Sequence, residues 1–169
     1  MSPEIGDPAL LLPVAIPKPF GWKSDVEKPI LLAPHFGDKY GWARKNQEGT
    51  RFVNPALSSV DAVLHEIWSS ELVLTSSLHV GIVSEAYGIP TVFIKSSELE
   101  FKFRDYFLST GRDFERINPD QGLGGMLNFV APTPEIPHDS LHRGLQLART
   151  FAAEIAYQAP EDSPGFHKN

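Results

Sequence analysis

Apolar runs and helical stripes alternate along this chain, and the alternation predicts strands and helices in turn. Lys28 to Ala33 (Lys-Pro-Ile-Leu-Leu-Ala) reads as a buried strand, and Glu71 to Thr75 as another. Shorter β-branched runs predict strands at Arg51 to Asn54 and Thr91 to Lys95. Between them, Val60, Val63, Leu64, Ile67 and Trp68 fall at three- and four-residue spacing, one stripe of a helix capped by Ser58 or Ser59. Further helices are predicted from Leu78 to Tyr87, stopping at Gly88, and from Glu100 to Ser109, closed by Gly111. Leu141, Leu145, Ala148, Ala152 and Ile155 mark a last helix capped by Asp139 or Ser140. Gly41 to Gly49 and Asn118 to Gly125 read as loops, and Ala131 to Pro137 as a proline-rich spacer.

Strands alternating with helices imply a mainly parallel sheet with right-handed crossovers, an α/β fold of Rossmann-like type. Prolines 3, 8, 13, 17 and 19 confine the first segment, 1–27, to a short helix around Ala9 to Leu12. The α/β domain is expected over 28–158, with a flexible tail at 159–169.

Composition narrows the chemistry. The 169 residues are 41% hydrophobic and 21% charged, ordinary for one globular domain. A net charge of −6 without a Lys/Arg block argues against nucleic acid as a partner. The absence of cysteine removes disulfides, thiolate catalysis and Cys-based zinc sites. No apolar stretch is long enough to span a bilayer, and the first residues lack the pattern of a secretory signal, so a cytoplasmic location is expected. Neither a Gly-x-Gly-x-x-Gly nor a Walker A sequence is present.

The candidate chemistry sits at strand ends. Thr75-Ser76-Ser77-Leu78-His79 joins a strand to a helix. Ser76 and Ser77 either cap that helix or share its orphan amides with a bound anion, which the helix dipole favours. His79 would lie in the first turn, able to exchange a proton beside such an anion, or else be an ordinary surface histidine. Glu85, six residues further on, either lines a cleft or is a solvated helix residue. Pro34-His35-Phe36-Gly37-Asp38 follows the first strand, so His35 and Asp38 either touch a substrate or form an Asx turn. His-x-x-Asp supplies too few ligands for a metal, and none is expected. Lys102, Asp105 and Tyr106 share a helix face; Lys102, with Arg104 or Arg112, either neutralises an anionic substrate or belongs to a solvated face.

Taken in order, Gly6-Asp7-Pro8-Ala9-Leu10-Leu11-Leu12-Pro13, Pro34-His35-Phe36-Gly37-Asp38, Ser76-Ser77-Leu78-His79, Ser84-Glu85-Ala86-Tyr87-Gly88-Ile89-Pro90 and Phe101-Lys102-Phe103-Arg104-Asp105-Tyr106 with Ser109-x-Gly111-Arg112 resemble the polysaccharide pyruvyl transferase family. The resemblance implies transfer of a pyruvyl group from phosphoenolpyruvate to a sugar of an exopolysaccharide or cell-surface glycan, forming a ketal, without a cofactor or metal. It implies one half of a glycosyltransferase-B-like fold, with the site between two Rossmann-like halves. By the same match His79 would be the acid/base or donor-contacting residue. Ser76, Ser77 and the amides near Leu78 would hold the donor's phosphate or carboxylate. Supporting contacts would come from His35, Glu85, Lys102, Asp105, Tyr106 and Arg112.

The partners it implies are a small-molecule donor and a saccharide acceptor, with peripheral membrane association if the acceptor is lipid-linked. The chain departs from the family pattern at Ser77, where many relatives have arginine, and at Val80, where others have glycine. It is also short for the family, so the expectation is the C-terminal half of such an enzyme, its cleft completed by a homo-oligomer or partner chain, or a non-catalytic subunit. A nucleotide-sugar glycosyltransferase, with Glu85 on the donor ribose, is the rival reading.

Overall fold

The computed structural model describes residues 7–22, 27, 29–38, 41–46 and 48–129. Among these residues four short strands form one sheet: β1 (Ile30–Ala33), β2 (Thr50–Phe52), β3 (Leu72–Thr75) and β4 (Thr91–Phe93). All pairings are parallel, in the order β2-β1-β3-β4. Leu31 stands opposite Val73 and Leu32 opposite Leu74, and a parallel bridge from Ile94 to Ile117 extends the β4 edge. Among the described residues six helices accompany them: α1 (Leu12–Ala15, entered through a 3-10 turn at Pro8–Leu11), α2 (Gly41–Lys45), α3 (Val60–Trp68), α4 (Leu78–Ala86), α5 (Glu100–Ser109) and α6 (Gly122–Leu127). The expected α/β architecture, a parallel sheet flanked by helices, is what the chain forms. No described helix is long and apolar enough to cross a membrane.

β1, β3 and β4 are largely apolar because both faces are covered, while the edge strand β2 carries Arg51 and leaves Phe52 exposed. Leu32, Leu72, Leu74, Val92 and Ile94 pack on one face against Trp42 and Ala43 of α2 and Met126 of α6. Leu31, Ala33 and Val73 face the other way, onto Ile67 of α3 and Val80 of α4. Phe93 joins that side, against Leu78 and Ile82 of α4 and Phe103, Tyr106 and Phe107 of α5.

Two expected loops hold helices instead. α2 lies within Gly41 to Gly49, and a 3-10 turn at Pro119–Gln121 followed by α6 occupies the glycine-rich stretch from Asn118. Each buries only one or two large side chains, too few to mark a helical period in sequence. Ser59 caps α3 as expected, accepting from the Ala62 amide at 3.2 Å. Val60 leaves the predicted stripe, being 65% exposed, while Leu64 and Ile67 are buried. The spacer at Ala131 to Pro137, the helix expected after Asp139 and the tail lie outside the described residues.

Gly88 and Gly111 end α4 and α5 with φ of 74° and 69°, the left-handed conformation that glycine adopts without strain. Gly81 is needed for a different reason. A Cβ there would stand 2.1 Å from the Phe93 ring, and Phe93 is pinned edge-on against Phe103 and Phe107. Gly81→Ala should therefore destabilise the fold by about 1–3 kcal/mol, the usual cost of overpacking, despite alanine's better helix propensity. Thermal unfolding of the variant checks this; a melting temperature equal to or above the parent's would contradict it.

Candidate functional site

The chain runs from β1 outward to β2, then returns past β1 to β3, so the order of connection reverses between β1 and β3. Ligands of open α/β sheets bind outside the carboxyl ends of strands at such a reversal. Three strand-end turns meet here. Pro34 to Asp38 follows β1, Ser76 and Ser77 follow β3, and Lys95 to Leu99 follows β4.

Ser76 is the hub. Its hydroxyl donates to Asp38 Oδ2 and accepts from the His35 amide at 2.8 Å. Its carbonyl accepts from Ser96 Oγ at 3.2 Å. Asp38 Oδ1 accepts from both the amide and the hydroxyl of Ser97 at 3.3 Å. The His35 ring is oriented in turn: Nδ1 accepts from the Gly37 amide at 3.1 Å. With that lone pair engaged, neutral His35 carries its proton on Nε2. Nε2 lies 4.0 Å from Glu98 Oε2.

The N-terminus of α4 is capped differently from the expectation. Ser77 makes no side-chain cap bond, and its amide donates to Thr75 Oγ1 at 3.0 Å. Ser76 is committed to Asp38 and His35. The Leu78 amide is also taken, by Glu98 Oε2 at 3.1 Å. A carboxylate of the protein thus occupies the anion position at this helix end, where the dipole and orphan amides favour negative charge. The amides of His79 and Val80 make no hydrogen bond among the described residues.

His79 projects from the same turn. Its side chain is 69% exposed, and Nε2 lies 3.8 Å from Asp7 Oδ2. Asp7 is itself fixed by accepting from the Ala9 amide at 2.8 Å through Oδ1. The arrangement leaves a solvent-facing imidazole with one carboxylate beside it, suited to passing a proton.

The remaining candidates do not gather at this edge cluster. Glu85 is not a solvated helix residue; it is 2% exposed, inside α4. Arg112 clamps it through Nη1 and Nη2 at 2.7 and 2.8 Å, and the Tyr106 hydroxyl donates to Oε2. Arg112 also lies over the Phe107 ring at 4.6 Å. Glu85, Tyr106 and Arg112, expected to contact substrate, bond one another here, with Glu85 and Tyr106 buried and Arg112 half-buried. Lys102 and Asp105 are exposed on α5. Sequence reasoning missed Ser96, Ser97 and Glu98, although Lys95-Ser96-Ser97-Glu98 follows a strand as the other two turns do. Among the described residues no group of three His, Cys, Asp or Glu is placed to hold a metal.

The Tyr106 phenol is held well above its ordinary range, first by burial and then by the Glu85 carboxylate. A phenol kept neutral when folded, but ionising near pH ~10 when unfolded, contributes its full stability below that pH and loses it as pH rises further. Stability should fall above about pH 10, and Tyr106→Phe should flatten that fall in denaturant titrations across pH. An unchanged alkaline slope in the variant would count against this role for Tyr106.

No curated protein and no solved structure matches the chain. A family model described as Polysaccharide pyruvyl transferase matches residues 2–98. That span holds Asp7, the turns at His35 and Asp38, Ser76 to His79, and the loop through Glu98. The match takes in more than half of the 169 residues and every side chain of the strand-end cluster, and the chain belongs to the polysaccharide pyruvyl transferase family.

Proposed function

We propose that this chain carries the donor side of a pyruvyl transferase, binding phosphoenolpyruvate at the turn from Ser76 to His79 and passing its pyruvyl group to a saccharide as a ketal. The observation that carries this reading is the N-terminus of α4. Its His79 and Val80 amides have no partner among the described residues, and Glu98 already marks the place of a carboxylate. The donor is a small multi-anion, and its carboxylate or phosphate would take that place as Glu98 turns away. His35, with its proton on Nε2, would donate to the same anion from the β1 side.

The chemistry adds one sugar hydroxyl across the donor's double bond. The hydroxyl oxygen bonds to C2 while the methylene carbon takes a proton from His79, with Asp7 beside the ring, and the hydroxyl's own proton passes to the imidazole so freed. A second hydroxyl of the same sugar then displaces inorganic phosphate from C2 and closes the ketal, its proton leaving with the phosphate. The facing wall of the cleft would come from a second α/β half or a partner chain. A lipid-linked acceptor would place the enzyme at a membrane surface.

The rival nucleotide-sugar reading needs Glu85 on the donor ribose, and both Glu85 oxygens are bonded inside the core. Calorimetric titration with phosphoenolpyruvate and, separately, with a uridine diphosphate sugar tests the choice. Saturable binding of phosphoenolpyruvate alone is expected. Binding of the nucleotide sugar alone would reverse the assignment.

A further inference from the structure

A cavity of about 470 Å³ opens beside the strand-end cluster, on the opposite side of the sheet from His79. Asp38, Trp42, Lys45, Asn46, Lys95 and Asp120 line it. Its size is that of a small-molecule site, ~300–1,000 Å³, and exceeds the need of a three-carbon donor.

The charges in it are the informative part. Lys45 and Lys95 form no ion pair among the described residues, and neither does Asp120. Two lysines and an aspartate, all exposed, therefore line one cavity without an ion pair between them. Asp38 is different: both of its oxygens are bonded, to Ser76 and Ser97, which makes it a rigid partition between this cavity and the Ser76 turn. Asn46 uses its amide nitrogen on the Trp42 carbonyl at 2.7 Å, which leaves its Oδ1 as an acceptor.

A ligand matching that lining needs hydroxyl donors for Asp120 and Asn46, and negative charge for the two lysines. Neutral sugars meet only the first requirement and simple anions only the second. We infer that this cavity binds an anionic saccharide, a hexose bearing a carboxylate or a phosphate. Asp120 and Asn46 take its hydroxyls, and Lys45 and Lys95 take its charge. Calling that saccharide the acceptor rests on the pyruvyl-transfer reading above; the binding itself does not. The shared wall at Asp38 sets such a sugar next to the donor turn.

The test is calorimetry on the full chain without donor, using glucuronate, glucose 1-phosphate, glucose and inorganic phosphate. At least one of the two anionic sugars should bind ten-fold or more tighter than both glucose and inorganic phosphate. The better of the two identifies the charge. The Lys45→Gln/Lys95→Gln double variant, its melting temperature checked against the parent, should lose that preference and keep its affinity for phosphoenolpyruvate within two-fold. Equal binding of glucose, equal binding of inorganic phosphate, or a preference that survives in the double variant would each overturn the inference. Failure of phosphoenolpyruvate to bind the parent chain would instead strike the donor reading and leave this one standing.

Discussion

Truncating Arg112 to alanine should destabilise the fold by about 3–5 kcal/mol, the cost of leaving a buried charge without its partner. Glu85 is inside α4 at 2% exposure, and Arg112 supplies two of the hydrogen bonds to its carboxylate. Removing the guanidinium leaves Tyr106 as the remaining donor and takes away a cation packed on the Phe107 and Tyr106 rings. The loss should appear in urea unfolding as a lower midpoint with an unchanged slope. Lys102→Ala and Asp105→Ala, on the exposed face of α5, should stay within about 0.5 kcal/mol of the parent. This contrast separates a structural network from a substrate contact. A stable Arg112→Ala chain with weakened donor affinity would return Arg112 to the binding site and end its assignment to the core network.

Replacing His79 by alanine should lower ketal formation by about 10²–10⁴-fold, the usual contribution of a positioned acid or base. The fold should be untouched, because the side chain is 69% exposed. Asp7→Asn should produce a smaller loss, since it removes the charge beside the ring while keeping an acceptor for the Ala9 amide. Turnover is followed by phosphate release and product analysis, alongside thermal melting. A His79→Ala chain with parental turnover would remove His79 from the chemistry.

The sheet was legible in the sequence because β1, β3 and β4 are short, largely apolar runs buried on both faces, and the edge strand β2 adds a β-branched and an aromatic residue. Each observed strand falls within a residue or two of its expected position, and so do the three longer helices. The two short helices were not legible. α2 shows the core only Trp42 and Ala43, and α6 buries only Met126 outright, so neither repeats often enough to mark a period. The site was half legible for a related reason. The turns at His35 and Ser76 stand out because polar residues follow apolar strands. Their partners cannot be read locally. His35 and Ser76 are 41 positions apart, and the carboxylate at the Leu78 amide comes from Glu98, 20 positions on. The same separation hid Glu85, whose Arg112 partner lies 27 positions away. A helix glutamate with no neighbouring cation in sequence gives no sign that it is buried.

The central claim is pyruvyl transfer itself. The most direct measurement supplies phosphoenolpyruvate labelled with carbon-13 at C2, together with a saccharide acceptor, to the chain and any partner half it needs, and follows the label by NMR. Ketal formation predicts a labelled quaternary carbon attached to the sugar, one inorganic phosphate released for each ketal, and loss of both signals in the His79→Ala variant. Phosphate released with free pyruvate, and no label on the sugar under conditions where the donor binds, would contradict it.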